Sequence, residues 1–154
     1  MSYRIITNSR EYGAGGHAVG KELSKNLGIA LFDSEIIQKV AIESGLSEKY
    51  IAEKEPCVII GRCADFILKE RNDVLDVFLH ASYEERIKRL VSENVELGKK
   101  PEKFLHDRDC RRSSYVHFYT DMKWGESRNY DITLDTGKFG IKKCAELIED
   151  IYKS

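Results

Sequence analysis

Short apolar and polar blocks alternate along the chain, and the first of them predicts a strand, a loop and a helix in immediate succession. Residues 3–7 are rich in β-branched side chains and predict a strand that stops at Asn8. A glycine-rich turn follows at residues 13–16. Apolar residues then recur at the i, i+4, i+8 spacing of one helix face, at Val19, Leu23 and Leu27.

Strand and helix patterns continue to alternate over the rest of the chain. Further strands are predicted at 29–32, 57–60, 74–80 and 130–134. Further helices are predicted at 33–43, 47–55, 64–68, 82–97 and 140–152. The helix at 82–97 begins with a capping box, because Ser82 is followed three residues later by Glu85. The alternation predicts a three-layer α/β/α domain with a parallel sheet covered on both faces.

The ends of the predicted strands indicate where a ligand would bind. Ligands of parallel sheets bind beyond the carboxyl ends of the strands, where we expect the glycine loop to be joined by Asp33, Gly61, Arg62, His80 and Asp135. Glycines allow a positive φ and a close backbone approach, and a helix N-terminus attracts anions. The alternative is a turn that only closes a strand–helix connection. The convergence of strand ends favours a nucleotide site.

The glycine loop departs from the Walker A pattern, G-x-x-x-x-G-K-[ST]. With the second glycine placed at Gly15, Arg10 stands at the first glycine, Gly16 at the lysine and His17 at the serine or threonine. The sequence therefore lacks both the phosphate-binding lysine and the hydroxyl that would bind Mg²⁺.

The length, the net charge and the spacing of cysteines and histidines argue against several classes of protein. A length of 154 residues predicts a single domain, 1–154, and a net charge of -1 with 33% charged residues gives no basic field for a nucleic-acid partner. With no signal peptide and no membrane-spanning run, the expected location is the cytoplasm. The four cysteines and four histidines have no metal-ligand spacing, which indicates reduced thiols and no zinc site.

Six stretches of the chain resemble the cytidylate kinase-like family, a branch of the P-loop nucleoside monophosphate kinases. They are SREYGAGGHAVGKELSKNLG (9–28), LFDSEII (31–37), VIIGRCADFIL (58–68), VFLHASYEERIKRL (77–90), DRDCRRSSYVHFYTDMKWG (107–125) and NYDITLDT (129–136). The resemblance implies a P-loop kinase fold with a helical lid at about residues 98–125. It also implies that the missing lysine is a trait of the branch with this loop.

The resemblance implies an enzyme that transfers the γ-phosphate of ATP, with Mg²⁺, to a pyrimidine nucleoside monophosphate, CMP or dCMP. Two alternatives stay open: a non-catalytic nucleotide-binding or regulatory protein, and a kinase for another small acceptor. The segment that helps such kinases bind the monophosphate is abridged near residues 45–56, either lost from the protein or omitted from the chain, which leaves the acceptor open. The oligomeric state is not predicted.

On the side of the site that would bind ATP, Arg10 and Lys21 are the candidates to supply the positive charge of the missing Walker lysine. Lys21 lies a turn into the helix and is alternatively a solvated side chain. Arg108 and Arg112 match the lid arginines of the family, which close over ATP, unless they belong to a solvated helix face. Adjacent arginines cannot share one helix face, so only one of Arg111 and Arg112 is expected in the site, and the resemblance to the family favours Arg112. Backbone donors around the β-phosphate are expected from Gly13, Ala14, Gly15, Gly16 and His17.

On the side of the site that would bind the acceptor, the resemblance implies contacts from Asp33, Ser34, Lys39 and Arg62. Of these, Arg62 is expected to bind the phosphate group of the monophosphate. Cys63 stands where active relatives carry an aspartate. Asp65 is the candidate substitute, acting through water on Mg²⁺, although an exposed helix residue is the favoured interpretation. No residue is assigned as a direct metal ligand.

An aromatic cluster follows the lid arginines. It could stack a nucleotide base, although packing of the lid helix on the body of the domain is the favoured interpretation. Its members are Tyr115, Phe118, Tyr119 and Trp124.

Overall fold

The computed structural model describes residues 2–33, 48–61 and 63–154. It contains a five-stranded sheet in the order β2-β3-β1-β4-β5, in which every neighbouring pair is parallel. The strands are β1 Ile5–Arg10, β2 Ala30–Asp33, β3 Cys57–Ile60, β4 Val74–His80 and β5 Ile132–Asp135. The predicted α/β fold with a parallel sheet is confirmed.

Helices flank the sheet and extend beyond its carboxyl edge. They are α1 Gly16–Leu27, α2 Glu48–Lys54, α3 Ala64–Ile67, α4 Tyr83–Ser92, α5 Pro101–Thr120, α6 Thr136–Phe139 and α7 Ile141–Lys153, with a 3-10 turn at Ser127–Asn129. Among the described residues, no helix combines the length and apolar character needed to cross a bilayer.

Two apolar layers hold the helices on the sheet, one on each face. Val19 and Leu23 of α1 and Ile148 of α7 are fully buried and pack on the face that carries Ile6 and Leu79. Ala52, Ala64 and Leu68 pack with Ile5 and Ile59 on the opposite face. Because the chain alternates faces at each residue of β1, its successive side chains enter different layers.

Strand β1 is longer than the sequence predicts. It continues past Asn8 to Arg10, because Ser9 and Arg10 pair with Phe78 and Leu79 of β4. Asn8 and Ser9 are only 1% and 3% exposed. The neighbouring strands therefore override the weak strand preference of these polar residues.

Helix α4 is shorter than predicted. Ser82 caps it as expected, its hydroxyl accepting a hydrogen bond from the Glu85 amide at 3.2 Å. The helix ends at Ser92, and Asn94 then takes a left-handed conformation with φ 61°. This turn brings Leu97 back against Leu90 and onto Leu105 of α5, which form a separate buried cluster.

Part of the sequence-based prediction lies outside the described residues. This holds for the body of the helix predicted at 33–43 and for the acceptor-side candidates Ser34, Lys39 and Arg62.

Candidate functional site

The glycine loop joins the end of β1 to the start of α1 at the centre of the sheet edge. Gly13 and Gly15 both have φ 80°. A Cβ on Gly13 would lie 2.8 Å from Leu90 Cδ1, and one on Gly15 would lie 2.5 Å from Ile141 Cδ1. Both positions therefore need glycine for backbone conformation and for space. The Asn8 side-chain amide donates from Nδ2 to the Gly16 carbonyl at 2.8 Å and holds the first turn of α1.

Replacement of Gly15 with alanine is expected to destabilise the fold. The left-handed conformation alone costs about 1–2 kcal/mol for alanine, and the overlap with Ile141 and Arg89 adds to it. Gly28→Ala is the matched control, since Gly28 is also left-handed (φ 64°) but has nothing within 4 Å of its added Cβ. Thermal unfolding of the two variants measures the effect. Equal behaviour of the two variants would contradict the crowding argument.

The loop borders a cleft of about 220 Å³ that we call the loop cleft. Its cationic lining consists of Arg10, Arg89 and Arg112. The aliphatic part of Arg10 lies over Gly16, where an added Cβ would be 2.7 Å from Arg10 Cδ. The Arg112 guanidinium donates to the Arg10 carbonyl at 2.8 Å. Three guanidinium groups beside a helix N-terminus form a site suited to phosphate groups.

Arg89 was missed by the sequence reasoning. It lies in α4, and its Cζ is 3.0 Å from the position of a Cβ on Gly15. The signal available was its place in the VFLHASYEERIKRL stretch, but a helical arginine after a strand is also typical of a solvated face. Only its contact with the glycine loop shows that Arg89 belongs to the cleft and not to a solvated helix face.

Several other donor-side candidates have different positions from those expected. Lys21 is exposed and does not line the loop cleft. The Ala14 amide donates to the Glu11 carbonyl at 3.2 Å, so it is already engaged within the loop. His17 lines the loop cleft with its side chain exposed. The phosphate-binding roles of Lys21 and Ala14 stay predictions, and the exposure of Lys21 agrees with its alternative as a solvated side chain.

The arginines of α5 are divided between two sides of the helix. Arg112 lines the loop cleft, whereas Arg111 lines a separate groove with Tyr115 and Phe118. Arg108 is outside the lining of the loop cleft, with its guanidinium 5.4 Å from the centroid of the Tyr12 ring. The Arg112 guanidinium is also 5.4 Å from that centroid, so Tyr12 contacts both arginines.

A buried ion-pair network connects α5 to the loop. Arg86 of α4 is 3% exposed and donates to Asp109 Oδ2 at 2.7 Å and to the Tyr12 carbonyl at 3.2 Å. Asp109 Oδ1 accepts a hydrogen bond from the Tyr12 amide at 3.0 Å. The Arg86–Asp109 ion pair therefore joins α4, α5 and the loop. The sequence reasoning did not single out Arg86 or Asp109.

Glu11 completes the network at the end of β1. Its Oε1 accepts from the Ala81 amide at 3.0 Å, and its Oε2 is 3.9 Å from an Arg86 nitrogen. Burial raises the pKa of Glu11, and the Arg86 charge opposes that rise. The Glu11 carboxylate is thus held in place by Arg86 of α4 and by the Ala81 amide, which directly follows β4.

Asp65 is buried, 8% exposed, which contradicts its interpretation as an exposed helix residue. It does not line the loop cleft but lies near Asp76, whose carboxylate accepts from the Thr7 hydroxyl. Burial, with a further contribution from the Asp76 charge, raises the pKa of Asp65 to about 6. This position argues against an action of Asp65 on a phosphate-bound cation.

The raised pKa of Asp65 predicts a loss of stability with rising pH. The usual value is 3.8, so the folded state holds the proton more tightly than the unfolded state. The resulting stabilisation is complete below pH 4 and is lost as the pH rises through 6, by about 3 kcal/mol. We expect Asp65→Asn to be more stable than the wild type by that amount at pH 8 and equal to it at pH 4. Urea unfolding at several pH values measures this, with the exposed Asp150→Asn as control. Parallel curves for wild type and Asp65→Asn would contradict the prediction.

The aromatic residues do not form one cluster. Along α5, Tyr119 contacts the ring of Tyr115 and, edge-on, that of Phe118, and Phe118 remains 80% exposed. Trp124 instead packs edge-on against Phe78 of β4, with 5.4 Å between ring centroids. Packing of the whole group on the body of the domain was therefore a wrong prediction for Phe118 and Tyr119.

Fold and site define the class of protein. The fold that carries the all-parallel order β2-β3-β1-β4-β5 is similar to the folds of solved kinases. One is a shikimate kinase from Acinetobacter baumannii in complex with shikimate, 18% identical over 97% of this chain and 92% of that chain, with a TM-score of 0.59. Another is a gluconokinase from Sinorhizobium meliloti 1021, 17% identical over 99% and 98%, with a TM-score of 0.55.

The chain belongs to the cytidylate kinase-like family, whose model matches residues 5–55 and 49–138. The predicted family is confirmed. An uncharacterized protein from Eubacterium ventriosum ATCC 27560 has a similar structure, with a TM-score of 0.85 and 32% identity over 97% of this chain and 98% of that chain. None of the curated proteins matches the chain. Family and fold together identify a kinase-like phosphotransferase for a nucleotide or another small molecule.

Proposed function

We propose that the protein transfers the γ-phosphate of ATP to a pyrimidine nucleoside monophosphate, with CMP or dCMP as the first candidates. The observation that carries this proposal is the loop cleft, in which three arginines surround a glycine loop in a member of the cytidylate kinase-like family. Phosphoryl transfer needs positioning and neutralisation of charge more than covalent chemistry from the protein.

The loop supplies backbone donors for the phosphates of ATP. The first amides of α1 have no partner within the helix, and the left-handed Gly15 caps that end without a side-chain hydrogen bond. Gly13, Gly15 and Gly16, which have only backbone to present, line the cleft together with His17. Oriented amides of this kind stabilise anions without further reorganisation.

Arginines take the place of the Walker lysine. Arg10 extends from the last position of β1, and Arg112 is tied to it through the Arg10 carbonyl. Arg89 contacts the loop from α4. Planar guanidinium groups bind phosphate oxygens in pairs, so this arrangement supplies the missing charge and adds geometric selectivity. Arg108 would join the site by moving off the Tyr12 ring when α5 closes.

Mg²⁺ fits this cleft as a companion of ATP, not as an ion held by the protein alone. Mg²⁺ keeps several waters and takes one or two carboxylates together with phosphate oxygens. Glu11 and Glu93 are carboxylates in the lining, with Glu11 at the end of β1. When bound, the ion would neutralise charge on the β- and γ-phosphates. His17 is not suited to this role, because imidazole is a softer ligand than oxygen.

A second candidate is a kinase for a small acceptor other than a nucleotide. The abridged segment near residues 45–56 favours it, because less of the chain is available to hold a monophosphate. The fold is also shared with a shikimate kinase and a gluconokinase. On the acceptor side, Asp33 ends β2 in register with Ile60, and it remains a proposed contact together with Ser34, Lys39 and Arg62.

Production of ADP by the intact chain with ATP and Mg²⁺ tests the proposal across a panel of acceptors. The panel holds CMP, dCMP, UMP, AMP and GMP, with shikimate and gluconate for the second candidate. We expect turnover with CMP or dCMP well above the rate without acceptor. Turnover with shikimate or gluconate alone would replace the proposal with the second candidate. ATP binding without turnover on any acceptor would favour a regulatory nucleotide-binding protein.

A further inference from the structure

Thr136, the first residue of α6, is a buried polar residue that contacts the glycine loop. Its hydroxyl donates a hydrogen bond to the Ala14 carbonyl at 2.6 Å, and the His80 carbonyl lies farther away, at 3.3 Å. A threonine hydroxyl has one proton to donate, so the shorter contact takes it. Ala14 is fully buried, so without this hydroxyl its carbonyl would lose its donor and water could not replace it.

Two other carbonyls of the glycine loop are held by buried side chains in the same way. The Arg86 guanidinium donates to the Tyr12 carbonyl at 3.2 Å. Asn8 Nδ2 donates to the Gly16 carbonyl at 2.8 Å. Both of these donor residues are buried. Every second carbonyl from residue 12 to residue 16 is therefore bonded to a side chain, and the three side chains come from β1, α4 and α6.

The held carbonyls determine the direction of the amides that follow them. In a planar trans peptide, the C=O and the next N–H point in opposite directions. The amides of Gly13, Gly15 and His17 therefore point away from the buried side chains, and all three residues line the loop cleft. Within the part of the chain that the structure describes, none of these three amides donates a hydrogen bond to another group. Oriented amides of this kind bind anions.

A loop with two left-handed glycines needs such restraint. Glycine populates positive and negative φ about equally, so Gly13 and Gly15 also allow loop shapes in which the amides diverge. We propose that Thr136 is a positioning residue, which acts through the Ala14 carbonyl to aim the Gly15 amide at the phosphates of ATP. A donor fixed in advance binds an anion without a cost of rearrangement. The inference rests on the proposed function, since that function identifies the anion as ATP.

The response of single amides to an anion tests this role without reference to catalysis. The probe is inorganic tripolyphosphate, which has the phosphate chain of ATP and neither base nor sugar. Titration of the isotopically labelled full chain is expected to move the amide proton resonance of Gly15 downfield, as a hydrogen bond to an anion does. In Thr136→Val this shift is expected to be mostly lost, whereas Gly13 keeps its own shift because Arg86 still holds the Tyr12 carbonyl. Equal Gly15 shifts in the wild type and in Thr136→Val would overturn the proposal.

Steady-state kinetics gives a second test, with matched controls. Thr136→Val keeps the β-branched shape and removes the hydroxyl, so KM for ATP is expected to rise about tenfold, the effect of one hydrogen bond. KM for the acceptor should stay unchanged. Thr136→Ser retains the hydroxyl and should keep KM for ATP close to that of the wild type. Thr7→Val is the control for the loss of a buried hydroxyl, because Thr7 is equally buried but donates to Asp76 and not to the loop. A merely structural role would affect Thr7→Val and Thr136→Val alike.

The outcomes separate this inference from the function on which it rests. If an acceptor is phosphorylated but Thr136→Val leaves KM for ATP and the Gly15 shift unchanged, the role of Thr136 fails and the function stands. If no acceptor is phosphorylated but tripolyphosphate shifts Gly15 only when the Thr136 hydroxyl is present, the function fails and the positioning of the anion-binding amide is supported. An equal loss in Thr136→Ser and Thr136→Val would overturn the inference, because the hydroxyl would then not be the group responsible.

Discussion

Replacement of Arg112 with alanine is expected to lower kcat for phosphate transfer about 10³-fold, with a much smaller effect on KM for ATP. An arginine that stabilises charge on a transferring phosphoryl group contributes about 10³–10⁵ in rate. Arg112 is placed for this role because it lines the loop cleft and donates to the Arg10 carbonyl. Initial rates of ADP formation with CMP measure the effect.

Arg111 is the matched control, since it is the adjacent residue of the same helix and lines a groove on its other side. Arg111→Ala is expected to remain within about twofold of the wild type, because an exposed charge outside the site contributes little. Arg112→Lys tests the geometry, since it keeps the charge but cannot bind two oxygens at once. Comparable rates for Arg112→Ala and Arg111→Ala would remove Arg112 from the catalytic assignment.

Replacement of Asp109 with alanine is expected to lower the free energy of unfolding by about 3 kcal/mol. Removal of one partner leaves Arg86 buried without its nearest anion, and breaking a buried pair in this way costs about 3–5 kcal/mol. The Tyr12 amide also loses its acceptor. Glu11 remains 3.9 Å from Arg86 and offsets part of the loss, which places the estimate at the lower end. Urea unfolding followed by circular dichroism gives the free energy.

Asp107→Ala is the control for this change, because Asp107 is exposed on the same helix. We expect it to alter the free energy of unfolding by less than about 0.5 kcal/mol. Asp109→Ala should also expose the amides of α5 and the loop to faster hydrogen exchange. A stability loss equal to that of Asp107→Ala would show that the network contributes nothing to the attachment of α5.

Local signals in the sequence predicted several bounds and caps of the strands and helices correctly. β4 was predicted with its observed bounds, 74–80, and Ser82 caps α4 as its capping pattern indicated. Gly15 at the start of α1 is left-handed, which agrees with the predicted glycine loop. Such features depend on residues within a turn or two of each other, so a linear pattern is sufficient to find them.

The wrong predictions for Asp65 and Phe118 have a common physical cause. Asp65 was favoured as exposed because a lone carboxylate on a short helix usually is, yet the packing of α3 on the sheet leaves it 8% exposed. Phe118 was expected to pack inward because large aromatic residues usually do, yet it is 80% exposed. Burial depends on what covers a residue from elsewhere in the chain, and no local pattern contains that information.

By itself, the sequence determined the alternation of strands and helices, the parallel sheet, the glycine loop and membership of the cytidylate kinase-like family. The tertiary structure decided which charges surround the loop. Arg86 meets Asp109 across 23 positions of sequence, and Asp109 meets the Tyr12 amide across 97. Both contacts exist because the sheet brings the ends of β1 and β4 together under α5. Periodicity specifies which side of an element is buried, whereas the choice of partner across a site depends on how distant elements pack.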